Sequence, residues 1–337
     1  MSIEHTVYQE PFNGLDAIWL KFGTYEAVLI PEYGGNLVAF RDTERGYRFL
    51  REPDENAMND FITNPSVYGI PFLFPPNRYE DGKFPWKGTV YELPINEQAT
   101  HNHLHGFLHN VPWKVVASGT TDVESYVLIS QKVDEQHPMY RYLPFKFTVY
   151  LRYNLDGTGL HQQYSIVNEG TEAMPNLFAF HTAINAPFAA GSTPDDYRIK
   201  ITIGERIELN ERSLPTGRLL PLSEEEQAMK TEGVNPYFAA MDNHYTAVPQ
   251  NGRNYMELTD LRTGVKLVYD VGTSYKHWMI WNNRASRSFI CPEPQMNRVN
   301  APNLSNIAPE EAGLVQLSPG ERFEQSASLY CIYPDSR

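Results

Sequence analysis

Only two cysteines, Cys291 and Cys331, occur in the 337 residues. They stand apart in apolar stretches, which leaves no disulfide framework and no Cys-x-x-Cys metal spacing. No run approaches the roughly 18 apolar residues that a membrane-spanning helix needs. The opening stretch MSIEHTVYQEPF has neither the basic start nor the apolar run of a secretory signal. Positive charge is scarce as well: 28 Lys and Arg stand against 41 Asp and Glu, a formal net charge of −13. Such a chain repels phosphate backbones and anionic lipid, and no basic stripe offsets the repulsion. Neither nucleic acid nor membrane is an expected partner, and phosphorylated ligands are mildly disfavoured. A cytoplasmic protein is the expectation. Helix signals are few; the clearest is PLSEEEQAMKT, where Ser223 can cap the first turn and Glu226 can reach back to complete a capping box.

What is abundant is alternation with period two. Phe145, Phe147, Val149, Leu151 and Tyr153 alternate with polar or smaller residues, as a half-buried strand requires. DGTG (156–159) then turns the chain, and LHQQYSIVNEG returns. Similar pairs fold around Gly34–Gly35, around Thr263–Gly264 and around Pro319–Gly320, all residues that tolerate turn geometry. No repeat, low-complexity block or linker divides the chain. These patterns predict one all-β domain over 1–337, a large antiparallel β-sandwich.

Three places carry candidate chemistry. The stretch HNHLHGFLH, 101–109, holds four of the ten histidines. As a strand it would project residues 101, 103 and 105 to one face, a spacing that also suits a metal ion. A cupin-like site would want a glutamate shortly afterwards, and none is there. Hydrogen-bonded imidazoles beside a turn and an acid–base apparatus are the other readings. In SFICPEPQ, Glu293 stands between two prolines at the expected end of a strand, where a stiff backbone could present a general base. In NLFAFHTAINAPF, residues 176–180 read as an apolar strand, and His181 follows where polarity returns. Each of these has a plain alternative, a solvated turn glutamate or a satisfied histidine at a core edge.

Taken in order, the motifs resemble the aldose 1-epimerase (galactose mutarotase) family. The matching residues are PPNR with DGKF and a following G-x-x-Y (75–91), NHLHG (102–106) with Trp113, MPNLFAFHTAINAPF around His181, MDNHY (241–245), and FICPEP with APNL (289–304). The resemblance runs from about YGGNLVAF to the last strand. It implies a large sandwich with a sugar cleft on one sheet and no cofactor or metal. Carried over residue by residue, Glu293 is the general base and His181 the general acid. His105 polarises near the ring oxygen, and Arg78 and Asp242 hold sugar hydroxyls. Asn102 and His103 are further candidates for substrate binding, with His103 undecided, and His101 and His109 are expected outside the site. A polar contact from the late strand KHWMIWNN is open between His277 and Asn282. Trp86, Trp113, Trp278 and Trp281 are candidates for packing on a sugar face, with the core the expected place for most of them.

The residue types suit the reaction that the resemblance implies. Mutarotation opens a hemiacetal: one proton leaves the C1 hydroxyl while another reaches the ring oxygen. A glutamate with a reference pKa of about 4.3 can take the first, and a histidine at about 6.5 can supply the second. The implied function is interconversion of the anomers of a free monosaccharide. One alternative is glucose-6-phosphate 1-epimerase, whose branch GIPFLFP and HGFLHNVPW resemble, although His109 stands where that branch usually has an arginine. Another is a sandwich that binds sugar without chemistry.

Overall fold

The computed structural model describes residues 4–334, so residues 1–3 of the N-terminal stretch, and 1–3 and 335–337 of the expected domain, lie outside it. Period-two alternation becomes a ladder where expected. Lys114–Thr120, Ser125–Val133, Phe147–Asp156, Gly159–Asn168, Arg322–Ile332, Lys266–Asp270, Tyr255–Asp260 and Tyr197–Ile201 pair in that order as an eight-stranded sheet, every neighbour antiparallel. Val149, Leu151, Tyr153 and Ile166 point inward and are buried, while Tyr150, Arg152, Gln163 and Ser165 face water.

A second eight-stranded sheet carries the late motifs. Its order is Pro215–Leu220, Ile203–Leu209, Asp242–Ala247, His277–Trp281, Phe289–Gln295, Ala179–Phe180 and Phe72–Leu73, and Ile184–Asn185 also pairs with Phe289–Gln295. The two sheets share one apolar cluster that takes residues from Ile18 to Leu329. Tyr164 of the first sheet stacks on Phe178 beside the second at 4.0 Å between ring centroids. A five-stranded N-terminal sheet, His5–Gln9 to Tyr47–Arg48, adds Leu20, Ala27 and Leu29 to the same cluster. The architecture is an all-β antiparallel sandwich with two α-helices among the described residues. One of them, Glu224–Thr231, has the expected capping box between Ser223 and Glu226.

The turns at 156–159, Gly34–Gly35 and Thr263–Gly264 join consecutive paired strands as predicted. Pro319–Gly320 does not. Gln316–Leu317 pairs with Met174–Pro175 instead of folding back on Arg322–Ile332. Asn168 takes the Leu317 carbonyl with its side chain and so draws that segment to the end of its own strand.

Two further expectations need correction. Glu293 is not at a strand end: it is the fifth residue of Phe289–Gln295, all seven of which are buried. Residues 176–180 are not one strand, since only Ala179–Phe180 pair. The prolines account for the break that follows Phe180. Met296 donates its N–H to the Phe178 carbonyl, so alternate positions 292 and 294 would aim theirs to the same side. Both are proline and have none to give. The ladder therefore lapses where Phe180 and Thr182 face the two prolines, while His181 and Ala183 donate on the other side, to the carbonyls of Pro71 and Gly69. The gap places His181 beside Glu293.

Candidate active site

A cleft of about 450 Å3 opens on the second sheet, with Arg78, His105, His109, His181, Asp242, Trp281 and Glu293 in its lining. In sheet register Glu293 lies opposite Met279, and Trp281 lies opposite Asp242. Cross-strand partners share a face, so one face of the sheet presents all four. His181 brings Nε2 to 3.2 Å from Glu293 Oε1, and the two side chains are only 6% and 2% exposed. Burial, with the Asp242 charge behind it, pushes the Glu293 carboxyl well above its usual value. Burial likewise lowers His181 to about 4. Gln295 donates to the other oxygen, Oε2, at 3.4 Å.

His105 enters from the opposite wall. Asn102–Leu104 pairs with Arg78–Glu80 for three residues only. His105 and Gly106 then turn through left-handed backbone, φ 65° and 67°. A Cβ on Gly106 would fall 2.1 Å from the Phe74 carbonyl, so glycine is required there. The turn sets the His105 ring 5.3 Å from that of His181 and 6.2 Å from that of His109. Burial first, then the neighbouring His181, holds His105 well below its ordinary value. The predicted single-face strand 101–105 is thereby corrected, because His101 and His105 both leave extended backbone. His101 is exposed beside Asp81, outside the cleft as expected. Among the described residues no group of three or more His, Cys, Asp or Glu side chains is arranged to hold a metal ion.

Arg78 bridges two carboxylates, Glu97 and Asp242. Its Nε and Nη2 bind both oxygens of Glu97 at 3.0–3.1 Å, and Nη2 lies 3.4 Å from Asp242 Oδ2. Burial works against the guanidinium charge, but Asp242 and Glu97 outweigh it and raise its pKa.

Asn102 and His103 do not reach the cleft. Asn102 is fully buried and donates to Glu97, Thr100 and the Arg212 carbonyl. His103 Nδ1 meets the Pro94 carbonyl at 2.7 Å, and its ring packs on Phe107. Both side chains are taken up by these partners, and neither is in the cleft lining with His105. His109, expected outside, lines the cleft: Gly34 packs on its carbonyl so tightly that a Cβ would come within 2.2 Å. Neither His277 nor Asn282 is in the lining. His277 stacks on His244 at 5.2 Å, and Asn282 ties down the turn at Pro236, Ala239 and Met241. Trp113 and Trp278 are core residues and Trp86 is partly buried, which leaves Trp281 as the tryptophan of the cleft. Sequence reasoning missed the polar rim of Thr63, Asn64, Ser66, Asn77, Asn96 and Asn110. Of these only Asn77 had a signal, its place within the PPNR motif.

The family model for aldose 1-epimerase matches residues 16–330. The chain belongs to the aldose 1-epimerase family. It is an enzyme of the epimerase and mutarotase class, and the family acts on sugars. A galactose mutarotase-like protein of Clostridium acetobutylicum is 31% identical, with a TM-score of 0.93 over 97% of this chain and 98% of that one. Galactose 1-epimerase from Lactobacillus acidophilus shares the fold at 15% identity, with a TM-score of 0.73 over 98% of this chain and 99% of that one. The uncharacterized protein YihR of Escherichia coli is 27% identical over 142 residues, a match spanning 42% of this chain and 42% of YihR.

Proposed function

We propose that this epimerase interconverts the α and β anomers of a free, uncharged aldose by acid–base ring opening and reclosure. We take it to act as one cytoplasmic domain over 1–337. The observation that carries this reading is the 3.2 Å approach of His181 Nε2 to Glu293 Oε1 inside a cleft that also holds Arg78 and Asp242. Burial raises Glu293 and lowers His181, so it disfavours charge on each, and a single proton shared between them would leave the pair uncharged overall. With the proton on His181, Glu293 is a carboxylate ready to act as base.

On binding, Glu293 takes the C1 hydroxyl proton as the carbonyl forms and the bond from C1 to the ring oxygen breaks. His181 delivers its proton to that oxygen. Rotation about C1–C2 and the reverse transfers close the other anomer. Each positioned acid or base typically contributes about 10²–10⁴-fold. His105, a neutral imidazole, is placed to polarise near the ring oxygen. Arg78 and Asp242 suit vicinal hydroxyls through charge-assisted bonds, and Trp281 offers its ring to the sugar's C–H face.

Sugar 6-phosphates are the weaker reading. Among the described residues Arg78 is the only lysine or arginine in the lining, and it is already bound to Glu97. His109, lowered to about 4 by burial, is uncharged at neutral pH. Polarimetry of freshly dissolved α-galactose and α-glucose tests the proposal. The enzyme should bring rotation to equilibrium much faster than buffer, and an unchanged rate for every free sugar would overturn it.

A further inference from the structure

Glu97 lies outside the cleft lining, yet it makes the most extensive contact with a lining residue that the cleft region offers. Both of its oxygens lie along one edge of Arg78, taking Nε and Nη2 at 3.0–3.1 Å. Glu97 is itself held: Thr100 Oγ1 donates a short hydrogen bond, and Asn102 Nδ2 donates at 3.3 Å. Arg212 fastens this segment from the outer side, bonding the carbonyls of Thr100 and His101 at 2.9 and 3.0 Å. Asn102 and its neighbours thus act on the sugar at one remove, through the carboxylate they position. Burial opposes the Glu97 charge, but the Arg78 and Thr100 hydrogen bonds outweigh it and hold the carboxyl below its usual value. It is an anion at neutral pH.

The consequence is both geometric and electrostatic. With Nε and Nη2 engaged, the Nη1 corner of Arg78 has no partner among the described residues and is the one left for substrate. The guanidinium is also flanked by two carboxylates, Glu97 and Asp242, so the trio carries one net negative charge. We infer that Glu97 is a positioning and specificity-determining residue: it fixes the Arg78 guanidinium for neutral hydroxyls and makes the cleft refuse sugars that carry an anionic group. The inference rests on the free-sugar reading above.

The test compares kcat/KM for galactose with kcat/KM for galacturonate and for glucose 6-phosphate in the wild type, Glu97→Gln and Glu97→Asp. Glu97→Gln keeps the shape and removes one negative charge beside Arg78. Over several ångströms in a partly buried site, that charge is worth roughly 10-fold in relative binding of an anion. The ratio of anionic to neutral kcat/KM should therefore rise about 10-fold, with KM for galactose higher and kcat little changed. Glu97→Asp keeps the charge but shortens the reach, so KM should rise while the ratio stays at the wild-type value. A general loss of structure would lower both substrates together and leave the ratio unmoved. An unmoved ratio in Glu97→Gln for both anionic sugars would overturn the inference, as would an equal rise in Glu97→Asp. Failure of the wild type to act on any free sugar would instead overturn the functional reading beneath it.

Discussion

Each eight-stranded sheet carries a groove, and the two differ in what their polar groups do. On the first sheet Tyr150, Arg152, Gln163, Arg322 and Glu324 line a groove of about 610 Å3. Its charges answer one another: Arg152 pairs with Glu124, and Arg322 with Glu324 and Ser165. On the second sheet the cleft is about 450 Å3, and its ionisable groups, Asp242 apart, are largely buried, with nitrogens left over. Nδ1 of His105, His109 and His181 is buried and has no hydrogen-bond partner among the described residues. Buried polar atoms are normally satisfied, and groups whose pKa values are strongly perturbed cluster where chemistry occurs.

The contrast can be broken first at the carboxylates. Glu293→Gln should lower kcat by about 10²–10⁴-fold with little change in KM, because the amide keeps the shape and cannot take the proton. Glu324→Gln in the other groove should leave kcat unchanged. More than a tenth of wild-type kcat in Glu293→Gln would remove Glu293 as the base.

Acid should separate the two regions next. Burial lowers His103 and His109 to about 4 and His244 to about 3, against about 6.5 when unfolded. Depressed folded values mean that the unfolded chain binds the extra protons. The stability is present above about pH 6.5 and is lost as pH falls toward 4. Each such histidine is worth on the order of 3 kcal/mol at full protonation. Thermal denaturation should therefore show Tm dropping steeply from pH 7 to pH 5. A flat Tm over that range would mean that these imidazoles are hydrated.

A smaller effect concerns substrate charge. Glucose 6-phosphate should have a lower kcat/KM than glucose by roughly 10–150-fold, the worth of one missing charge-assisted hydrogen bond of about 1.5–3 kcal/mol. His109→Arg should narrow that gap, since position 109 faces the cleft, and kinetics at two salt concentrations would check it. Smallest of all is the outer groove: Arg152→Ala should cost no more than about 1 kcal/mol in urea denaturation, as ion pairs open to solvent generally do.

The same contrast explains what the sequence made legible. Residues 145–167 declare themselves because one face is wet, so Tyr150, Arg152 and Gln163 must alternate with buried Val149, Leu151 and Tyr153. Phe289–Gln295 is covered on both faces, and alternation has nothing to mark there. Glu293 could be singled out by its flanking prolines, but its position inside a strand could not, because the neighbour whose ladder lapses is a hundred residues away in sequence. His181, His105, Arg78 and Asp242 came from motif order, and the fold brings all four into the cleft with Glu293. Asn102 and His103 misled because a three-residue strand cannot carry the whole motif to the cleft. His109 was missed because Gly34, distant in sequence, decides where its backbone lies. Glu97 sits in no motif, and its importance depends on which arginine it meets.

The most direct measurement follows anomerisation of α-galactose, α-glucose and glucose 6-phosphate side by side, with the wild type and with Glu293→Gln. The wild type should equilibrate the free sugars rapidly and the phosphate more slowly, and the variant should run close to buffer. Faster turnover of the phosphate at every salt concentration would contradict the free-sugar assignment. Undiminished activity in Glu293→Gln would contradict the acid–base pair at its centre.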